Sequence, residues 1–285
     1  MRGKYRKRSR IETPHFSCES VHMLVDGKRI ANHIYARLEE VGTLRGATLG
    51  IVCCEPNAVI DSFVRIKARA AARLGVCLVR RDVSAQAGNA GVIAAIRELV
   101  RDTQGIIVQL PLPSEIDTNE VLAAIPGSHD VDGIGSVPRV LPPVARAVAH
   151  VLRREGVSLA GKQAVVIGAG RLVGAPVARM LAGAGAEVRV ITKDTGTLAV
   201  LDDADIIVSG AGEPGLIQPA MIRDGVVLID AGTSEQGGKV RGDADPACAD
   251  KCRIFTPVPG GIGPIAVAMI FENLAELVGT KKGRS

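Results

Sequence analysis

Two groups of residues in this 285-residue chain have the types and spacing to do chemistry. The first is Gly168, Gly170 and Gly174 in the segment VVIGAGRLVGAP, with Arg171, Leu172 and Val173 inside the turn. These glycines follow an apolar strand pattern and open a helical one. Small residues at such a turn let backbone approach a pyrophosphate, and the helix start adds free N–H groups and positive partial charge. The spacing is one residue longer than the usual dinucleotide fingerprint. The competing reading is a tight strand-to-helix turn without a ligand. The second group is Lys67, Gln109 and Asp132. Lys67 shares a helix face with Phe63, one turn earlier. A lone lysine beside apolar residues is usually a surface residue with its stem packed down. This one has company: Gln109 ends an apolar strand run just before Pro111, and Asp132 lies in a glycine-rich loop. Ligands of open α/β sheets bind at the carboxyl ends of strands, which is where these polar groups would gather.

The elements that must position them alternate. VDGKRIANHIYARLEEVG reads as a turn and an amphipathic helix, ATLGIVCC as a buried strand, and IDSFVRIKARAAARLG as a helix stopped by glycine. VCLVRRDV and GIIVQLPLP read as strands with the helix AGVIAAIRELVRD between them, and the prolines close the second strand. After the short helix NEVLAAIP comes the Gly- and Pro-rich loop GSHDVDGIGSVPRVLPP. The alternation then restarts. The helix VARAVAHVLRREG leads to the strand KQAVVIGAG, the helix RLVGAPVARMLAGAG and the strands AEVRVIT, ADIIVSGAG and GVVLIDAG. Repeated βα units predict parallel sheets. The expected class is α/β: two α/β domains, the second a Rossmann-like parallel sheet, with a cleft between them. The final helix PIAVAMIFENLAELVG is expected to pack back on the first domain.

Composition narrows the function classes. The chain is 47% hydrophobic and 23% charged, which is globular composition. With no Trp, 2 Tyr and 4 Phe, it suits an aromatic platform for single-stranded nucleic acid badly. The net charge of +5 sits mostly in residues 1–22, where Arg2, Lys4, Arg6, Lys7, Arg8 and Arg10 outnumber Glu12 and Glu19. That segment reads as a flexible basic extension, and the rest is nearly neutral, so no nucleic-acid partner is expected. No run of about 18 apolar residues stands out, so no membrane span is expected either. The cysteines are Cys18, Cys53, Cys54, Cys77, Cys248 and Cys252. Cys248 and Cys252 could share a helix face, but two thiols make an incomplete metal site, and no metal is expected. Without a secretion signal, a reduced cytoplasmic setting is the default.

VDGKRIA, FVRIK, GIIVQLPLP, HDVDG, the VGAP after GAGRL, SGAGEP, GDAD and TPVPGGIGPIA occur in that order. From residue 23 to about 276 the chain resembles the bifunctional methylenetetrahydrofolate dehydrogenase/methenyltetrahydrofolate cyclohydrolase family. The resemblance implies oxidation of 5,10-methylenetetrahydrofolate by a nicotinamide cofactor, then hydrolysis of the methenyl cation to 10-formyltetrahydrofolate. It implies that Lys67 serves the hydrolytic step, with Gln109 its hydrogen-bonding partner and Asp132 the carboxylate that holds the pterin ring. A lysine desolvated in a cleft can exchange protons near neutrality, and a carboxylate can accept two hydrogen bonds from an aminopyrimidinone edge. Phe63, Leu110, Pro111, Gly260 and Gly261 are the implied substrate contacts. The implied cofactor contacts are Gly168, Gly170, Arg171, Leu172, Val173, Gly174, Lys193, Thr195, Gly210, Gly212 and Thr233. A homodimer is implied as well. The expected division is residues 23–143 plus the helix 264–279 for folate and catalysis, and 144–263 for NAD(P).

The chain departs from the family pattern at places that bear on chemistry. Phe63 stands where a tyrosine is usual, and Ile60 where a serine is common. The loop after Asp132 is short, and Pro142-Pro143-Val144-Ala145 replaces a Pro-Cys-Thr-Pro run. At the nucleotide turn Gly168-Ala169-Gly170 replaces Gly-Arg-Ser, which removes an arginine near a 2′-phosphate. Lys193 and Arg171 could replace it, favouring NADP with NAD possible, while Asp194 could favour a free ribose hydroxyl. The alternatives are a dehydrogenase with little cyclohydrolase activity, a folate- or dinucleotide-binding pseudoenzyme, and a different two-domain dehydrogenase.

Overall fold

The computed structural model describes residues 23–236 and 239–282. The basic extension 1–22 and Cys18 lie outside them. The first unit holds a three-stranded sheet of β2 (Thr48–Cys54), β3 (Cys77–Val83) and β4 (Gly105–Val108), in the order β3-β2-β4. All its pairings are parallel. β4 and nearly all of β2 are buried, which suits their unbroken apolar runs. Around them stand α1 (Gly27–Val41), α2 (Ala58–Arg73), α3 (Gly88–Asp102) and α4 (Thr118–Ala123). α1 buries Ile30, Ala31, Ile34 and Leu38, an apolar stripe at helical spacing. The Asp26 side chain accepts from Arg29 N at its start, and Gly42 ends it at φ 66°. α2 starts at Asn57, whose side chain accepts from Val59 N and Ile60 N at 3.0 Å each. This cap, worth about 0.5–2 kcal/mol, sets where the helix that carries Lys67 begins.

After α5 (Pro143–Arg154) the chain builds the second sheet. Its strands are β1 (Met23–Leu24), β5 (Gln163–Ile167), β6 (Glu187–Ile191), β7 (Ile206–Ser209), β8 (Val226–Asp230) and β11 (Cys252–Thr256). The order is β1-β11-β8-β7-β5-β6, all parallel. From β5 the chain passes to β6 on one side and then to β7 on the other. A crevice therefore opens beyond the ends of β5 and β7, the place where such sheets bind ligands. α6 (Gly174–Gly183) follows β5.

The two units share elements. β1, at the head of the first, pairs with β11 at the edge of the second sheet. α7 (Ile262–Lys282) packs on α1, α2 and α5, with Ile265, Met269, Phe271 and Leu274 buried. By length and composition α7 could cross a membrane, against the expectation that no segment could. It is instead a core helix, mostly enclosed by its neighbours.

Several local expectations need correction. β11 was not foreseen, nor was the antiparallel hairpin of β9 (Ser234–Gln236) and β10 (Lys239–Arg241). Cys248 and Cys252 share no helix: one lies in a short 3-10 turn, Pro246–Asp250, and the other opens β11. Both are buried, and burial pushes the thiols up, to about 11 and about 12. α6 begins at Gly174, so Arg171, Leu172 and Val173 form the turn before it.

Candidate active site

Lys67 and Gln109, from different elements, are in hydrogen-bond contact, and the charge of Asp132, from a third, acts on Lys67. Gln109 extends β4, held by its backbone N–H to Val52 O at 2.9 Å, and is buried. Its side-chain oxygen accepts from Lys67 Nζ at 2.9 Å, and its amide nitrogen donates to Leu110 O at 2.9 Å. That second bond fixes which way the amide faces, so the oxygen is presented to the lysine. Lys67 is half-buried, and Nζ lies 5.9 Å from the centroid of the Phe63 ring. Burial lowers the lysine's pKa, while the Asp132 and Cys53 charges raise it. Asp132 is pushed up to about 7 by burial, with Lys67 pulling down and Asp130 pushing up. An amine drawn toward neutrality and a carboxyl titrating near 7 are groups that can exchange protons at physiological pH.

The loop carrying Asp132 leaves the edge of the first sheet, where Asp130 bridges in parallel to Ile106. Asp130 is fully buried; one of its oxygens accepts from Gly135 N at 2.7 Å. Gly133 makes the bend at φ 62°. Around the amine, Ile60 is buried and Phe63 is 47% exposed, so these two positions of α2 supply no hydroxyl to Lys67. Leu110 packs partly into the apolar cluster behind β4, and Pro111 is exposed. Gly260 is held at φ 107°, a backbone that suits glycine, and a Cβ on Gly261 would lie 2.5 Å from Pro257 O. The start of α1 lies so close that a Cβ on Gly27 would sit 1.8 Å from Gly261 O, and Gly27 N donates to Gly260 O at 2.9 Å.

The glycine turn after β5 is close-packed on one side and open on the other. A Cβ on Gly174 would lie 1.9 Å from Gly168 O, and one on Gly168 would lie 2.8 Å from Gly210 O. A Cβ on Gly210 would lie 2.4 Å from Val173 Cγ1. The turns after β5 and β7 thus press together at the crevice. Gly170, by contrast, has nothing within 4 Å of its missing side chain, and α6 starts without a side-chain cap. An uncapped helix start beside bare backbone fits a dinucleotide phosphate. Leu172 is exposed beside it, and a Cβ on Gly212 would lie 3.7 Å from Thr233 O across the crevice rim. Lys193 Nζ pairs with Glu213 at 3.3 Å, and the Thr192 and Thr195 hydroxyls bond each other at 2.8 Å. Arg171 reaches across the cleft to Asn119 Oδ1 of α4 at 2.5 Å. Both cations thought free for a 2′-phosphate therefore have protein partners.

Two functional positions escaped sequence reasoning. Asp243 is buried and accepts from Ser209 Oγ (2.6 Å), Ala211 N (2.8 Å) and Glu213 N (2.7 Å), tying down the whole turn after β7. Its motif, GDAD, was visible, but its partners lie some 30 residues upstream. Asn119 was hidden because its partner belongs to the other unit. Among the described residues, no group of three or more His, Cys, Asp or Glu could hold a metal.

Residues 25–132 match the model of the tetrahydrofolate dehydrogenase/cyclohydrolase catalytic domain, and residues 142–282 that family's NAD(P)-binding domain. The chain is 34% identical over 281 residues to the bifunctional protein FolD of Wolinella succinogenes, covering 91% of this chain and 98% of the relative. Among solved structures, the bifunctional FolD methylenetetrahydrofolate dehydrogenase/cyclohydrolase of Campylobacter jejuni superposes with a TM-score of 0.87 at 32% identity, covering 91% and 99% of the two chains. The FolD enzyme of Trypanosoma brucei, complexed with NADP cofactor and inhibitor, gives 0.85 at 30% identity, covering 92% and 99%. With both domain models matched over most of its length, the chain belongs to the tetrahydrofolate dehydrogenase/cyclohydrolase family.

Proposed function

We propose that the chain oxidises 5,10-methylenetetrahydrofolate to the 5,10-methenyl cation and hydrolyses that cation to 10-formyltetrahydrofolate. NADP, when bound along the turns after β5 and β7, supplies the hydride-accepting ring. The first step moves a hydride off the substrate's methylene carbon and asks no proton of the protein. Asp132 accepts hydrogen bonds from the pterin edge. In the second step water attacks the methenyl carbon. Lys67, whose burial favours the neutral amine, takes a proton from that water. The bond from the carbon to N5 breaks and N5 gains a proton from Lys67, with one proton released overall. Gln109 keeps the amine aimed, because its oxygen holds Nζ at 2.9 Å. That contact is the observation that carries the reading.

An absorbance assay with methylenetetrahydrofolate and each nicotinamide nucleotide tests it. Reduced nucleotide must form, and methenyltetrahydrofolate must decay faster than in buffer alone. Absence of both rates would leave a binding protein. NADP should give the higher kcat/KM, because Lys193 can exchange its exposed Glu213 partner for a 2′-phosphate; a preference for NAD would mean that Asp194 holds the ribose hydroxyls instead. We also propose a homodimer, as the resemblance implies, and a reducing cytoplasmic setting, which suits the free thiols of Cys53, Cys54, Cys77, Cys248 and Cys252. Sedimentation at the mass of one chain would reject the dimer.

A further inference from the structure

Asn273 has no part in the chemistry above, yet it is completely buried in the middle of α7. Its amide nitrogen donates to Val131 O and to Leu141 O, both at 2.8 Å. Its oxygen accepts from Arg146 Nη1 at 2.7 Å. Arg146, on α5, also pairs with Glu272 at 3.3 Å and Glu276 at 2.7 Å, so the guanidinium is anchored on α7 itself. The amide can face only one way: oxygen to the guanidinium, both N–H groups to the carbonyls.

Those two carbonyls mark the two ends of the loop that carries Asp132. Val131 precedes Asp132, and Leu141 closes the segment before α5. The arms of the loop touch: a Cβ on Gly133 would lie 2.5 Å from Val140 O and 3.1 Å from the Leu141 carbonyl carbon. One amide therefore staples both arms to α7. If packing alone were needed, a leucine would fill such a buried site without the cost of burying an amide.

We propose that Asn273 is a positioning residue, clamping loop 131–141 so that Asp132 faces Lys67 at the separation a pterin ring needs. The inference rests on the reading of Asp132 as the folate carboxylate. Without the clamp, the loop arms keep their mutual contacts but lose their register against α7. Asp132 then samples positions in which it cannot meet the pterin.

Asn273→Ser, which keeps one donor, and Asn273→Leu, which keeps none, test this in the full chain. KM is measured for methylenetetrahydrofolate at saturating nucleotide, and for nucleotide at saturating folate, alongside a thermal melt. The folate KM should rise by at least about tenfold in Asn273→Leu and less in Asn273→Ser, the scale of losing buried hydrogen bonds. The nucleotide KM should stay within about twofold, since its site lies on the other sheet. An amide with only a structural role would lower the melting temperature and the amount of active enzyme and leave both KM values unchanged, which overturns the proposal. Should Asn273→Leu fail to fold, Arg146→Lys decides: it loosens the amide from outside, and an unchanged folate KM there and in Asn273→Ser counts against the clamp. A wild-type chain without dehydrogenase activity would instead sink the reading of Asp132. Amide exchange would then judge the clamp alone: residues 131–141 should lose protection in Asn273→Ser, and unchanged exchange overturns it.

Discussion

Lys67 is an amine whose neighbours disagree about its charge. Burial favours the neutral form, while the Asp132 and Cys53 charges favour the ammonium. A group balanced in this way is suited to carrying protons to and from water, and Lys67→Met should cut hydrolysis of methenyltetrahydrofolate by at least about two orders of magnitude, the usual scale for a lost acid–base group. Hydride transfer needs no such group, so dehydrogenase turnover should remain measurable. Hydrolysis at the wild-type rate would make Lys67 a bystander. Phe63 contributes a ring at 5.9 Å and no hydroxyl, so Phe63→Tyr should raise the hydrolytic rate. Asp132 sets a pH dependence with a definite sign. Its pKa is pushed up to about 7, and only the ionised form accepts two hydrogen bonds. The KM for folate should therefore climb as pH falls from 8 to 6, and Asp132→Asn should flatten the profile while raising KM throughout. A folate KM independent of pH in the wild type would contradict this.

At the scale of elements, the proposed nucleotide site depends on two turns that press together. Gly174→Ala would place a methyl carbon 1.9 Å from a carbonyl oxygen, which no rotamer can relieve. The turn must deform, at a cost of about 1–3 kcal/mol or more by the usual measure of overpacking. Nucleotide binding should weaken much more than folate binding, and isothermal titration with each ligand reads the difference. Asp243 holds the facing turn with three hydrogen bonds. Asp243→Ala should raise the nucleotide KM and lower stability by about 2–5 kcal/mol, since several buried donors lose their acceptor together. Denaturant unfolding checks the stability, and an unchanged nucleotide KM would show that the turn holds itself.

For the whole molecule, α7 and β1 are the seams. β1 carries the head of the first unit onto the second sheet, and α7 carries the tail of the chain back onto α1. Phe271, fully buried on α7, lies in the apolar cluster that takes in residues of both sheets, and Phe271→Ala should cost about 3–5 kcal/mol by the usual large-to-small scale. A single unfolding transition shifted to lower denaturant would fit a shared core, whereas loss of only one of two transitions would show separate units. Across the cleft, the Arg171 to Asn119 bond is exposed, so neither partner's truncation should change stability by more than about 1 kcal/mol.

The sequence by itself determined the class of structure and put forward the candidate reacting groups. Short, β-branched apolar runs such as GIIV and VVLID, bounded by glycines and polar residues, read as strands buried on both faces, and their alternation with helical patterns points to parallel sheets. The glycine turn, the lysine one turn after Phe63 and the motif HDVDG were legible because each is local. What escaped was short or distant. The two-residue strand β1 is exposed and has no period to detect; it is a strand only because β11 offers it an edge. Cys248 and Cys252 looked helical by spacing, but a 3-10 turn and a sheet edge divide them. Arg171 looked free for phosphate until Asn119 from the other unit stood 2.5 Å away. Whether a lysine is a surface ornament or a proton carrier depends on desolvation and on the amide at 2.9 Å, and both arise only when α2, β4 and the Asp132 loop are brought together. Contacts between residues far apart in the chain leave no periodic trace in it, so the tertiary structure alone decides them.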